Sequence, residues 1–208
     1  MDQVIAVMQA LELSRSFKEV QTHLDQIHKK FHFNEDKYPD IPFTLTREEI
    51  AQLHTAKILT PENEISEQNL PDLTPFEKLL YALAWKNGDL KKIKHIVKGV
   101  LSEQEDETSE AIVFWQFGRF LTGNAAEPII DQHVLRAFGV YRYRDNETKR
   151  NEYQMMGLIT ADELPLIKEY KDWLNKKVSP ELRKQPNYKR EVDKILFALG
   201  KYLKSANR

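Results

Sequence analysis

Asp131 is the residue whose type and placement most clearly could do chemistry. It stands inside the stretch 111–141, AIVFWQFGRFLTGNAAEPIIDQHVLRAFGVY. An apolar segment ends near Leu121, a turn with Gly123, Asn124 and Pro128 follows, and Ile129 and Ile130 lead into Asp131. A second apolar-periodic segment then begins. An Asp immediately before a helix accepts the free amides of the first turn, and that capping role accounts for the residue type by itself. A carboxylate locked at a helix start could also stabilise a developing cation or activate water. The helix start favours the ionised form, which suits a base or an electrostatic role better than a proton donor. Both readings are open on the sequence.

Other clusters bear on binding. Lys91, Lys94, His95 and Lys98 lie on the outer face of a helical segment, with Lys92 beside them. Lys91, His95 and Lys98 fall at i, i+4 and i+7, so they form either a solvated face or a phosphate-contacting one. Arg142, Arg144, Lys149 and Arg150 form a second basic group, and Arg183, Lys184, Lys189 and Arg190 a third. His28 and His32, with Glu35 and Asp36 beyond, have spacing that could hold a metal only if a helix extends through them; a solvated pair is the simpler reading, and no metal or cofactor is expected. Asn146-Glu147-Thr148 matches a glycosylation acceptor that a cytoplasmic chain would not use.

Composition narrows the classes. The chain has 208 residues, 41% hydrophobic and 30% charged, which suits one globular unit or two small lobes. With no Cys, disulfides, thiolate catalysis and iron–sulfur clusters are excluded. Nothing resembles a secretory leader and no apolar run reaches transmembrane length, so the expected compartment is the cytoplasm, with no membrane partner. The formal net charge of −1 is uneven: residues 136–208 hold 17 Lys and Arg against 10 Asp and Glu, residues 1–135 hold 14 against 22. That asymmetry permits a basic binding face.

The elements that would position these residues are helical throughout. Val4, Ile5, Met8, Leu11, Leu13, Phe17, Val20, Leu24 and Ile27 recur at helical spacing, as one long helix or two broken near residues 14–16. Thr46 with Glu49, Thr74 with Pro75 and Glu77, and Thr160 with Glu163 mark helix starts. The segment 76–85 is apolar around most of its circumference and is expected at the centre of the fold. Asp89 is expected to cap the next helix. In the helix 111–121 the aromatics cover more than one face, so it should be buried on several sides. Gly139 is expected to end the helix that Asp131 opens. Residues 142–157 read as a loop with a short extended piece at 141–143. The expectation is an all-α fold of about eight helices. It divides into N-terminal helices and a connector over residues 1–73, and a core over 74–208.

The segment PIIDQHVLRAFG resembles the part of helix-hairpin-helix DNA glycosylases where the catalytic aspartate is followed by a histidine two residues on and a helix arginine. The closing VDKILFALGK is similar to the last helix of that superfamily. The resemblance spans about residues 74–205. It implies a two-lobed helical fold, double-stranded DNA as partner, and a damaged or mismatched base flipped into the cleft. Asp131 would then be catalytic, with His133 and Arg136 in support. Trp115, Gln116 and Arg119 could line the pocket, where Trp115 could stack on a base. The family's glycine hairpin is replaced by the acidic residues 105–110, and Val113 stands where bifunctional members carry a lysine. The expectation is therefore a monofunctional, hydrolytic N-glycosylase. The alternative is a non-catalytic DNA-binding or structural module on the same fold.

Overall fold

The computed structural model describes residues 2–27, 41–103, 111–124 and 126–205. The fold is all-α, and no strand occurs among the described residues. His28, His32, Glu35, Asp36 and the acidic stretch 105–110 lie outside the described residues. The chain forms two compact units, residues 1–40 with 128–208, and residues 41–127. The boundary expected after residue 73 falls inside the second unit.

In the first unit, α1 (Asp2–Leu13) and α2 (Phe17–Ile27) are separated by a break at 14–16. They are followed by α7 (Gln132–Arg142), α8 (Glu147–Met155), α9 (Leu164–Lys176), α10 (Pro180–Arg183) and α11 (Tyr188–Ser205). α7 is the central element. It packs most extensively on α11, then on α8, α1 and α9. Val134, Leu135 and Phe138 are buried on α7, Val7, Met8 and Leu11 on α1, Tyr170 and Leu174 on α9, and Leu196, Leu199 and Leu203 on α11. Ser179 fastens α10 to the α1–α2 break. It caps α10, its hydroxyl donates to the Ser14 carbonyl at 2.6 Å, and its amide donates to the Leu11 carbonyl at 3.1 Å.

Gly139 does not end α7. A Cβ there would meet the Tyr153 ring at 2.5 Å, so glycine is needed for the packing of α8 against an unbroken helix. The expected extended piece at 141–143 is the last turn of α7 and its cap. Part of the expected loop is α8, which Asn146 opens by accepting from the Lys149 amide at 3.1 Å. That capping role, rather than glycosylation, accounts for Asn146 here.

The second unit holds α3 (Arg47–Thr55), α4 (Pro75–Asn87), α5 (Ile93–Leu101) and α6 (Ile112–Leu121), with 3-10 turns at Glu67–Asp72 and Leu90–Lys92. Both expected capping boxes form, Thr46 with Glu49 and Thr74 with Glu77. α5 and α6 cross in close contact at Gly99 and Gly118, where an added Cβ would lie 2.0 Å from the opposing backbone. Ile50, Leu59, Val97 and Val100 make the core, with Leu45, Leu53 and Ile93 against it.

Two expectations fail in this unit. Asp89 makes no side-chain cap; it pairs with Lys92, and a 3-10 turn precedes α5. α4 is not central, and none of its residues is buried. The core closes around α3, α5 and α6, and the apolar circumference of α4 is left largely exposed among the described residues.

Candidate site around Asp131

Asp131 adopts extended backbone angles and caps α7, its Oδ1 accepting from the His133 amide at 2.6 Å. The side chain is half-buried, and Oδ2 has no partner among the described residues. Two and five positions on stand His133 and Arg136, both buried. The Arg136 guanidinium donates from Nη1 to His133 Nδ1 at 2.6 Å and to the Gly200 carbonyl at 3.2 Å. Its Nη2 donates to the Met156 carbonyl. Because arginine has no acceptor, His133 Nδ1 must be the accepting nitrogen, and the neutral ring carries its proton on Nε2.

This cluster ties α7 to α11 and to the end of α8. The backbone of α11 passes so close that a Cβ on Gly200 would lie 1.9 Å from the His133 carbonyl oxygen. The His133 ring meets Phe197 edge to face at 5.1 Å between centroids. Burial lowers the His133 pKa first; the Asp131 charge raises it, and the Arg136 charge lowers it again. Burial also lowers the Arg136 pKa, opposed by Asp131. The Asp131 charge therefore favours the charged form of Arg136, beside its role as a cap.

Trp115, Gln116 and Arg119 belong to the other unit, where all three are buried on α6. Gln116 and Arg119 converge on Glu127. Gln116 Nε2 donates to Oε2 at 2.6 Å, and Arg119 Nη2 and Nε donate to Oε1 at 2.6 and 2.9 Å. The guanidinium also stacks over the Trp115 ring at 5.2 Å. The expectation overlooked Glu127. The available signal is that it is the one charged residue between Arg119 and Asp131 in the sequence, and a lone acid among apolar residues is a candidate partner for a buried base.

The basic groups divide. Lys94 pairs with Glu64 at 2.9 Å, and that hydrogen bond leads the lowering of the Glu64 pKa. Lys91 and Lys98 are exposed, and His95 is half-buried. Arg142 pairs with Glu169, Arg144 lies over the Tyr141 ring at 4.9 Å, and Lys149 lies over Tyr143 at 4.6 Å. Arg150 donates to the Arg144 carbonyl at 3.4 Å. Arg183 closes the end of α9 by donating to the Asn175 and Val178 carbonyls.

A cleft of about 670 Å³ lies in the first unit, lined by α1, α7 and α9, and Asp131 is not among its lining residues. At its back Glu12 Oε1 accepts from Tyr141 Oη at 2.8 Å and from Trp173 Nε1 at 2.6 Å. Burial, then the bond to Glu12, raises the Tyr141 pKa. Glu12 gave no sequence signal. No group of three or more His, Cys, Asp or Glu able to hold a metal occurs among the described residues. No family model, curated protein or solved structure matches the chain.

Proposed function

We infer that this chain is a non-catalytic helical binding module. The observation that carries the reading is how Asp131 is used. Its Oδ1 holds the first turn of α7, and its charge favours the charged form of the buried Arg136. Both neighbours that the glycosylase resemblance casts in support are taken up by structural bonds. His133 Nδ1 accepts from Arg136, and Arg136 reaches two main-chain carbonyls.

N-glycosidic hydrolysis by a monofunctional glycosylase is the second reading. One observation favours it: Asp131 Oδ2 is without a partner on a half-buried side chain. The deciding experiment is a base-release assay of wild type and Asp131→Asn on DNA duplexes carrying uracil, alkylated, oxidised or mismatched bases. The binding-module reading expects no release from either protein. Release by wild type that disappears in Asp131→Asn establishes hydrolysis and overturns it. The same variants separate the two structural roles. Asp131→Asn keeps the cap and removes the charge, whereas Asp131→Ala removes both, adding about 1 kcal/mol of destabilisation for the lost cap.

A further inference from the structure

The second unit exposes a helix whose surface asks for a partner. Phe76, Leu79, Leu80 and Leu83 recur at i, i+3, i+4 and i+7 on α4 and are 67, 70, 50 and 59% exposed. Trp85, on the opposite side by helical spacing, is 66% exposed. A stripe of this kind on a surface helix marks an interaction site. Its neighbours in sequence are basic. Residues 74–101 contain six Lys and only two acids. Both acids are engaged, Glu77 in the α4 capping box and Asp89 with Lys92. Lys78, Lys86, Lys91 and Lys98 are exposed and have no ion-pair partner among the described residues.

Charge decides between occupants. A second copy would bring the same lysines against themselves. A nucleic-acid backbone would satisfy the lysines and leave the leucines in water. An anionic bilayer offers both halves at once, acyl chains for the stripe and phosphate-bearing headgroups for the lysines.

We propose that α4 is an interfacial anchor that lies in the surface of an anionic lipid bilayer, with Phe76, Leu79, Leu80 and Leu83 in the acyl boundary and Lys86, Lys91 and Lys98 on the headgroups. This is adsorption, not spanning, since among the described residues no helix is long and apolar enough to cross a membrane. The inference extends the binding-module reading to the surface bound. Vesicle binding and base release are separate readouts, so either reading can fail without the other.

The test is co-sedimentation of the full chain with phosphatidylcholine vesicles and with vesicles of phosphatidylcholine and phosphatidylserine in equal parts. The expected result is binding to the anionic vesicles only, weakened by salt. Leu79→Asp with Leu83→Asp should weaken binding by more than about tenfold. Lys86, Lys91 and Lys98 changed singly to Gln should each cost about fivefold. None of these positions is buried, and unchanged circular dichroism checks that the variants fold. Absence of binding overturns the proposal. So does equal binding to neutral vesicles, or binding that survives the double Asp variant. Concentration-dependent self-association abolished by that variant, with no vesicle binding, also overturns it and assigns the face to a second copy.

Discussion

α4 and α7 are similar in length, 13 and 11 residues, and their burial is the reverse of what their side chains suggest. α4 carries Phe76, Leu79, Leu80, Leu83 and Trp85, and none of its residues is buried. α7 carries a histidine, an arginine, a glycine and a tyrosine, and every residue from His133 to Tyr141 is buried. The difference lies in the neighbours. α7 is packed by α1, α8, α9 and α11, and the close approaches at Gly139 and Gly200 bring two of them against its backbone. Among the described residues of its unit, α4 has no neighbour packed as closely. Apolar content states how much a helix would gain from burial, whereas the elements around it decide whether that gain is realised.

The sharpest way to break this comparison is at Arg136, the buried polar residue that ties α7 to α11 and to the end of α8. Arg136→Ala leaves the Met156 carbonyl without its donor and opens a cavity beside His133. The expected loss is on the order of 3–5 kcal/mol, read by chemical denaturation. A smaller effect is expected from the other side of the same contact. Gly200→Ala forces α11 away from the His133 carbonyl and should cost about 1–3 kcal/mol. A near-neutral result at either position would show that α7 is held by its apolar contacts alone.

Much of this frame is legible in the sequence, and its gaps have physical causes. Thr46, Thr74 and Thr160 announce helix starts because a capping box is a local motif, complete within four residues. Asp131 was legible as a cap for the same reason. The position of α4 was not, because burial depends on contacts distant in sequence. α8 was missed because its sequence, ETKRNEYQM, carries little apolar periodicity and is held by Tyr153 against Gly139. At the site, the types and spacing of Asp131, His133 and Arg136 were visible. Their uses were not, since Gly200 and Met156 supply the carbonyls from remote segments. Gln116 and Arg119 drew notice as pocket residues, yet Glu127 takes up both.

A pH dependence follows from the same cluster. Burial and the Arg136 charge hold His133 below its ordinary value of 6.5, so the unfolded chain takes up a proton at this position before the folded chain does. Stability from this group is complete above about pH 6.5 and falls as the pH drops, until the folded ring is itself protonated. His133→Gln should flatten that part of the denaturation profile. A profile unchanged by the substitution would assign the acid sensitivity elsewhere. The apolar stripe of α4 has no titratable group, so alanine substitutions at Leu79 or Leu83 should leave the acid limb unchanged.

The smallest effect is expected on α4 itself and sets the scale for the rest. Leu83→Ala removes an apolar side chain that is already 59% exposed. Alanine is the better helix former, and no core cavity is opened. The change in stability should lie within about 0.5 kcal/mol. The matched truncation on α7, Leu135→Ala, removes the same atoms from a site with no exposure and should cost about 2–5 kcal/mol. Equal losses at the two positions would mean that α4 is covered in the folded protein. A near-zero loss at Leu83 beside a large one at Leu135 leaves the α4 stripe free to contribute to binding rather than to folding.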